Sequence, residues 1–134
     1  MARRDSREQA FVLMFEKSFQ NDLTMEEMIN INIENEIIEN DEFAQELAIR
    51  TCNNVETIDS YIEKFSIARK MNRISKVSLS VLRIAICEML YYDDIPLGAS
   101  INEAVEICKK YASEDEYTFV NGLLGAFARS LEEK

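Results

Sequence analysis

The chain has 134 residues, 47% hydrophobic and 30% charged, with a formal net charge of −10. Those values exclude intrinsic disorder and allow one self-sufficient core, because a chain of this length buries roughly two-thirds of its unfolded surface. Three Gly and one Pro leave too few turn formers for an all-β architecture.

The first element expected is a helix over residues 4–19, where Ala10, Phe11, Met14, Phe15 and Phe19 recur near helical spacing. Behind the arginines of its start there is no apolar region, so the opening MARRDSREQ is not a secretory signal. At about 100° per residue, Arg3, Arg4 and Arg7 fall within one arc of about 100°. Cations at a helix N-terminus oppose the macrodipole, so local stability gives no reason for three of them. A phosphate partner does, because guanidinium forks match phosphate oxygens; a solvated terminus is the plain alternative.

A second helix is expected from Thr24, whose Thr-Met-Glu-Glu string fits a capping box. One long helix should follow over about 40–64, with Asn40 or Asp41 as N-cap and Phe43, Leu47, Cys52, Val55, Ile58, Ile62 and Phe65 along its stripe. Residues 75–91 are apolar around most of the wheel, which predicts a central, buried helix. Lys76 and Arg83 lie seven residues apart on one of its faces and need water, a counter-charge or a ligand. The Asp93-Asp94-Ile95-Pro96 string breaks the chain, and a helix through Ile101, Ala104, Val105, Cys108 and Ala112 follows. Ser100-Ile101-Asn102-Glu103 reads equally as a recognition element or as a capping box.

The last helix should begin at Ser113 with a capping box to Glu116 and bury Val120, Leu123, Leu124, Phe127 and Leu131. Tyr117 and Asn121 sit one turn apart, off that stripe. Gly122 and Gly125 cost helix stability, and close helix packing is the expected reason for them. Together these elements predict an all-α fold of two antiparallel helical bundles packed around the central apolar helix. It forms a single unit over 1–134, with an N-terminal subdomain to about 70 and a C-terminal one over 71–134.

Charge is segregated along the chain. Residues 21–63 carry twelve acids and one base, Arg50, whereas residues 64–87 carry six bases and no acid: Lys64, Arg69, Lys70, Arg73, Lys76 and Arg83. That pattern suits either a selective polyanion site or pairing between the two halves. His is absent, so the commonest general base and metal ligand is missing. No phosphate loop, nucleophile elbow or metal-ligand spacing occurs, which predicts no catalytic residues, no metal and no cofactor. Cys52, Cys87 and Cys108 sit in or beside apolar runs and are expected to be reduced thiols of a cytoplasmic protein. No apolar stretch of about 18 residues is present, so no membrane partner is expected.

The chain resembles the NusB family of bacterial transcription antitermination factors over nearly its whole length. The resemblance is carried by Ala2-Arg3-Arg4-Asp5-Ser6-Arg7-Glu8-Gln9-Ala10, by MNRISKVSLSVLRIAICEML (71–90), by Pro96, and by INEAVEICKKY (101–111) and FVNGLL (119–124), in that order. It implies a non-enzymatic factor that binds single-stranded boxA-type RNA of ribosomal RNA leader transcripts. It also implies action together with the ribosomal protein NusE, within the RNA polymerase antitermination complex. Carried over by position, the RNA-binding residues are Arg3, Arg4 and Arg7, then Lys76 and Arg83, with Tyr117, Phe119 and Asn121 behind them. The chain departs from the family pattern at Asp5, Phe15, Thr118 and Gly125. A protein–protein adaptor of the same fold with little RNA binding of its own is the alternative, and monomer and homodimer both stay open.

Overall fold

A computed structural model describes residues 3–20 and 22–133, so Ala2 of the opening motif lies outside the described residues. Among them there are seven α-helices and no strand: α1 (Arg3–Lys17), α2 (Met25–Glu34), α3 (Glu42–Asn53), α4 (Val55–Phe65), α5 (Lys76–Tyr91), α6 (Leu97–Tyr111) and α7 (Glu114–Glu132), with a single 3-10 turn at Met71–Arg73. None of the helices is long and apolar enough to cross a membrane.

The apolar character of residues 75–91 places α5 at the centre. Val81, Leu82, Ile84, Ala85, Ile86 and Cys87 are all buried, and α5 packs against α1, α3, α4, α6 and α7. On one side α1, α2 and α3 pack together; on the other α4, α6 and α7 do. One continuous apolar cluster runs from Phe11 and Leu13 through Leu82 and Ile86 to Leu124 and Phe127. Burying a single side chain of that size stabilises by roughly 1.5–3 kcal/mol, and this cluster is where that term concentrates.

Several local expectations hold. Thr24 and Glu27 form the reciprocal capping box of α2, and Asp41 caps α3 by accepting from the Ala44 N–H. All three cysteines are free, Cys87 and Cys108 buried and Cys52 half-buried; burial pushes the Cys87 thiol up to about 11.

Five expectations do not hold. The long helix over 40–64 is two, parted at Asn54, whose side-chain amide and backbone N–H both donate to the Arg50 carbonyl and so end α3. Phe19 lies past the end of α1 and is 62% exposed. Ser113 makes no side-chain cap for α7, because Glu116 instead accepts from Ser75, Ser78 and Arg69. Ser100 is no cap either: α6 begins at Leu97 behind Pro96, and the Ser100 hydroxyl points inward to Glu88. Finally, a Cβ added at Gly122 would meet nothing within 4 Å, and one at Gly125 only the Arg129 side chain at 3.5 Å, so helix packing does not explain these glycines.

Candidate nucleic-acid interface

The N-terminal end of α1 is tied to three other helices, and the ties decide which arginines face outward. Ser6 donates to Asp41 at 2.6 Å. Burial works against the charged form of Asp41, but the bonds from Ser6 and from the N–H groups opening α3 hold its carboxyl below the ordinary range. Glu8 accepts from Lys110 and Tyr111, both at 2.6 Å, at the far end of α6. The Lys110 bond, followed by that from Tyr111, lowers the Glu8 carboxyl.

Arg7 is the strongest tie. It is 8% exposed, and its Nε donates to both oxygens of Glu88, at 2.8 and 3.0 Å. Glu88 is 1% exposed and also accepts from the Ser100 hydroxyl. The pair therefore sits between α1, α5 and α6 with its charges matched. Of the three arginines in the expected arc, Arg7 points into the protein, because it lies one turn further along α1 than Arg3, where α5 and α6 cover that face.

Arg3 and Arg4 face solvent. The Arg3 guanidinium lies over the Phe43 ring, 3.9 Å from its centroid. Arg4 reaches the other way and forms a fork to Glu103, at 2.8 and 3.1 Å, with its side chain 63% exposed. Here α1 borders a groove of about 490 Å³ between α6 and α7, lined by Arg4, Asn102, Lys109, Tyr117, Thr118 and Asn121 among others. The Lys109 ammonium sits 5.5 Å from the Tyr117 ring centroid. The groove thus joins a cationic fork, two amides and an aromatic ring. Such a set meets phosphate, base edge and base face respectively. Arg4, Tyr117 and Asn121 were singled out from the sequence. Asn102 and Lys109 were not, though Asn102 lies inside the Ser100–Glu103 string and Lys109 in the basic last turn of α6.

The remaining expected residues lie elsewhere. Lys76 and Arg83 border a separate groove of about 380 Å³ with Lys17, Met14, Cys52 and Leu79. Arg4 and Lys17 stand at opposite ends of α1, about 20 Å apart at 1.5 Å per residue. Arg83 is engaged by Asp59 through two bonds, at 2.9 and 2.8 Å. Lys76 donates to the Ser18 carbonyl at 3.3 Å, and its ammonium is 4.8 Å from the Phe19 ring centroid. Phe119 is half-buried beneath the Arg69 guanidinium, 4.3 Å from its ring centroid. Pairing between the basic and acidic segments is thus real at Arg83–Asp59, whereas Arg69 pairs with Glu116 of α7 instead. It does not extend to Arg3, Lys70 or Arg73, for which no ion pair exists among the described residues. Among the described residues no group of three or more His, Cys, Asp or Glu could hold a metal ion.

A model of the NusB family matches residues 4–129. The transcription antitermination protein NusB of Natranaerobius thermophilus is 41% identical over 137 aligned residues, covering 99% of each chain. That of Acetivibrio thermocellus is 46% identical over 127, covering 93% of this chain and 87% of the relative. Among solved structures, T. maritima NusB superposes with a TM-score of 0.82 at 34% identity, covering 96% of this chain and 92% of the other. A chain in the crystal structure of antitermination factors NusB and NusE in complex with dsRNA gives a TM-score of 0.84 at 27% identity, with 96% of both chains covered.

Proposed function

The chain belongs to the NusB family of transcription antitermination proteins, which are not enzymes, and from that premise we propose that it binds single-stranded boxA-type RNA of ribosomal RNA leader transcripts through the groove between α6 and α7. It does so in the cytoplasm, together with NusE, as a component of the RNA polymerase antitermination complex. The observation that carries this reading is the convergence of Arg4, Asn102, Lys109, Tyr117 and Asn121 on one open groove, with Arg3 exposed on the same helical turn but turned toward Phe43. A structural relative has been crystallised with NusE in complex with dsRNA, which supports RNA and NusE as the ligand classes. We treat residues 1–134 as one unit. Its N-terminal part, to about residue 70, and its C-terminal part share the core around α5, and α4 packs on α3 as well as on α5 and α7.

Within this proposal Arg3, Arg4, Tyr117 and Asn121 touch RNA, and Arg7 positions α1 from inside. Lys76 and Arg83 border the second groove rather than this one, where they would meet a different stretch of the RNA. Fluorescence anisotropy with a boxA-containing oligoribonucleotide, with and without NusE, tests the reading. Arg3→Gln with Arg4→Gln should weaken binding and make log Kd against log salt shallower by about 1.4, at roughly 0.7 per phosphate contact on a single strand. Equal affinity for boxA and a scrambled RNA, even with NusE present, would refute it. The protein–protein adaptor reading is favoured instead if the unaltered chain binds RNA only weakly and the double variant assembles with NusE as the unaltered protein does.

A further inference from the structure

Between α4 and α5 the chain carries Lys64, Arg69, Lys70, Arg73 and Lys76 with no acid from residue 64 to residue 76. On a protein with a net charge of −10 that concentration calls for a reason. The linker is held in shape. The Ser66 hydroxyl donates to the Arg69 carbonyl at 2.5 Å, and the Arg73 N–H donates to the Lys70 carbonyl at 2.8 Å. Arg69 then fastens it to α7, bonding Glu116 at 2.8 Å and covering the Phe119 ring. Ser75 adds a second bond to Glu116, at 2.8 Å. What this scaffold leaves outward are Lys70 and Arg73, both exposed and, among the described residues, without any ion pair, beside Ile67 at 95% exposure.

The same two turns of α7 carry both surfaces. Tyr117 and Asn121 border the groove described above, whereas Glu116 and Phe119 hold the linker. A helix with its side chains is about 10–12 Å across. At about 3.4 Å per stacked nucleotide, a strand leaving the groove crosses α7 in about three nucleotides and arrives over the linker.

We propose that Lys70 and Arg73 form a second contact for the sugar–phosphate backbone of single-stranded RNA, continuous over α7 with the Arg4–Tyr117–Asn121 groove, and that Arg69 is the positioning residue that fixes them there. This rests on the RNA-binding reading of that groove. The contact is to phosphate and so indifferent to sequence: it adds affinity and sets the length of RNA covered. Glu114 and Asp115, exposed at the start of α7, oppose a polyanion at this end, so their neutralisation should tighten binding.

The test compares two labelled RNAs, one just long enough to fill the groove and one extended by about six nucleotides at either end. They are titrated against the full chain and against Lys70→Gln with Arg73→Gln. Both positions are exposed and unpaired, so the variant keeps its fold. The variant should bind the short RNA as the unaltered chain does. On the RNA extended toward the linker it should lose the gain in affinity, with a salt slope shallower by about 1.4 for two phosphate contacts. Arg4→Gln should weaken both RNAs, which separates the two surfaces. An unchanged slope on the extended RNA overturns the proposal while leaving the groove intact. Loss of binding to a polyglutamate peptide, with RNA binding unchanged, overturns it in favour of an acidic protein partner. Failure of the unaltered chain to bind any RNA overturns the groove reading and this one with it.

Discussion

Replacing Glu88 by Gln keeps the size of the side chain and an acceptor for the Ser100 hydroxyl, but removes the charge that faces Arg7. The guanidinium would then be left 8% exposed, without a carboxylate. Two unit charges about 4 Å apart attract by about 4 kcal/mol at an effective dielectric of 20. Breaking a buried pair by removing one partner typically costs about 3–5 kcal/mol, because the other charge stays buried. For a chain of this size each kcal/mol corresponds to about 4 °C, so Glu88→Gln should lower the unfolding midpoint by about 12–20 °C. Arg7→Met should cost a similar amount by stranding Glu88. The double variant should cost less than the sum of the two, with a coupling energy of at least about 2 kcal/mol. Thermal and urea unfolding followed by circular dichroism would read all three. If either single change costs under about 1 kcal/mol, the pair does not hold α1 to α5 and α6. If Arg7→Met instead lowers RNA affinity at unchanged stability, Arg7 contacts RNA directly.

Gly122→Ala should stabilise the chain by about 0.5–1 kcal/mol, since the position is helical, exposed and open to a Cβ; destabilisation in urea melts of the free protein would show that something covers this face. For Glu116 burial favours the neutral acid, yet bonds from Ser75, Ser78 and Arg69 bring its carboxyl below the ordinary 4.5. Its contribution to stability is therefore complete above about pH 4.5 and disappears as pH falls through the lowered folded value. Accordingly Glu116→Gln should be clearly less stable than the unaltered chain at pH 7, with the difference shrinking as pH is lowered below 4.5. A difference that persists at low pH would locate the effect in packing rather than charge.

Much of the fold is legible in the sequence, because burial on several sides leaves an unmistakable pattern. Residues 75–91 are apolar around the wheel, and the helix they form touches five others. Local chemistry is legible only where both partners are local. The Thr24–Glu27 box closes on itself, whereas the same pattern at Ser113–Glu116 fails because residues about forty positions earlier capture the glutamate. Similarly, the apolar stripe runs unbroken from Phe43 to Phe65 and hides the break at Asn54, which rests on one amide bonding the helix's own backbone. In the site, Arg4, Tyr117 and Asn121 were within reach of helical spacing and family pattern. The burial of Arg7 was not, since its partner is 81 residues away. A signal did exist: Glu88 is a lone carboxylate inside an apolar helix, and a carboxylate there needs a cation.

The position of α5 has a mechanical consequence. Since α1 and α3 press on it from one side and α4, α6 and α7 from the other, no hinge separates the two groups of helices. Bending one against the other would open the shared apolar wall, and cutting the chain between α3 and α4 would strip that wall from both pieces. Features at opposite ends of the molecule are therefore positioned by one shared core, and a ligand long enough to reach both meets two sites that the same apolar wall holds in register.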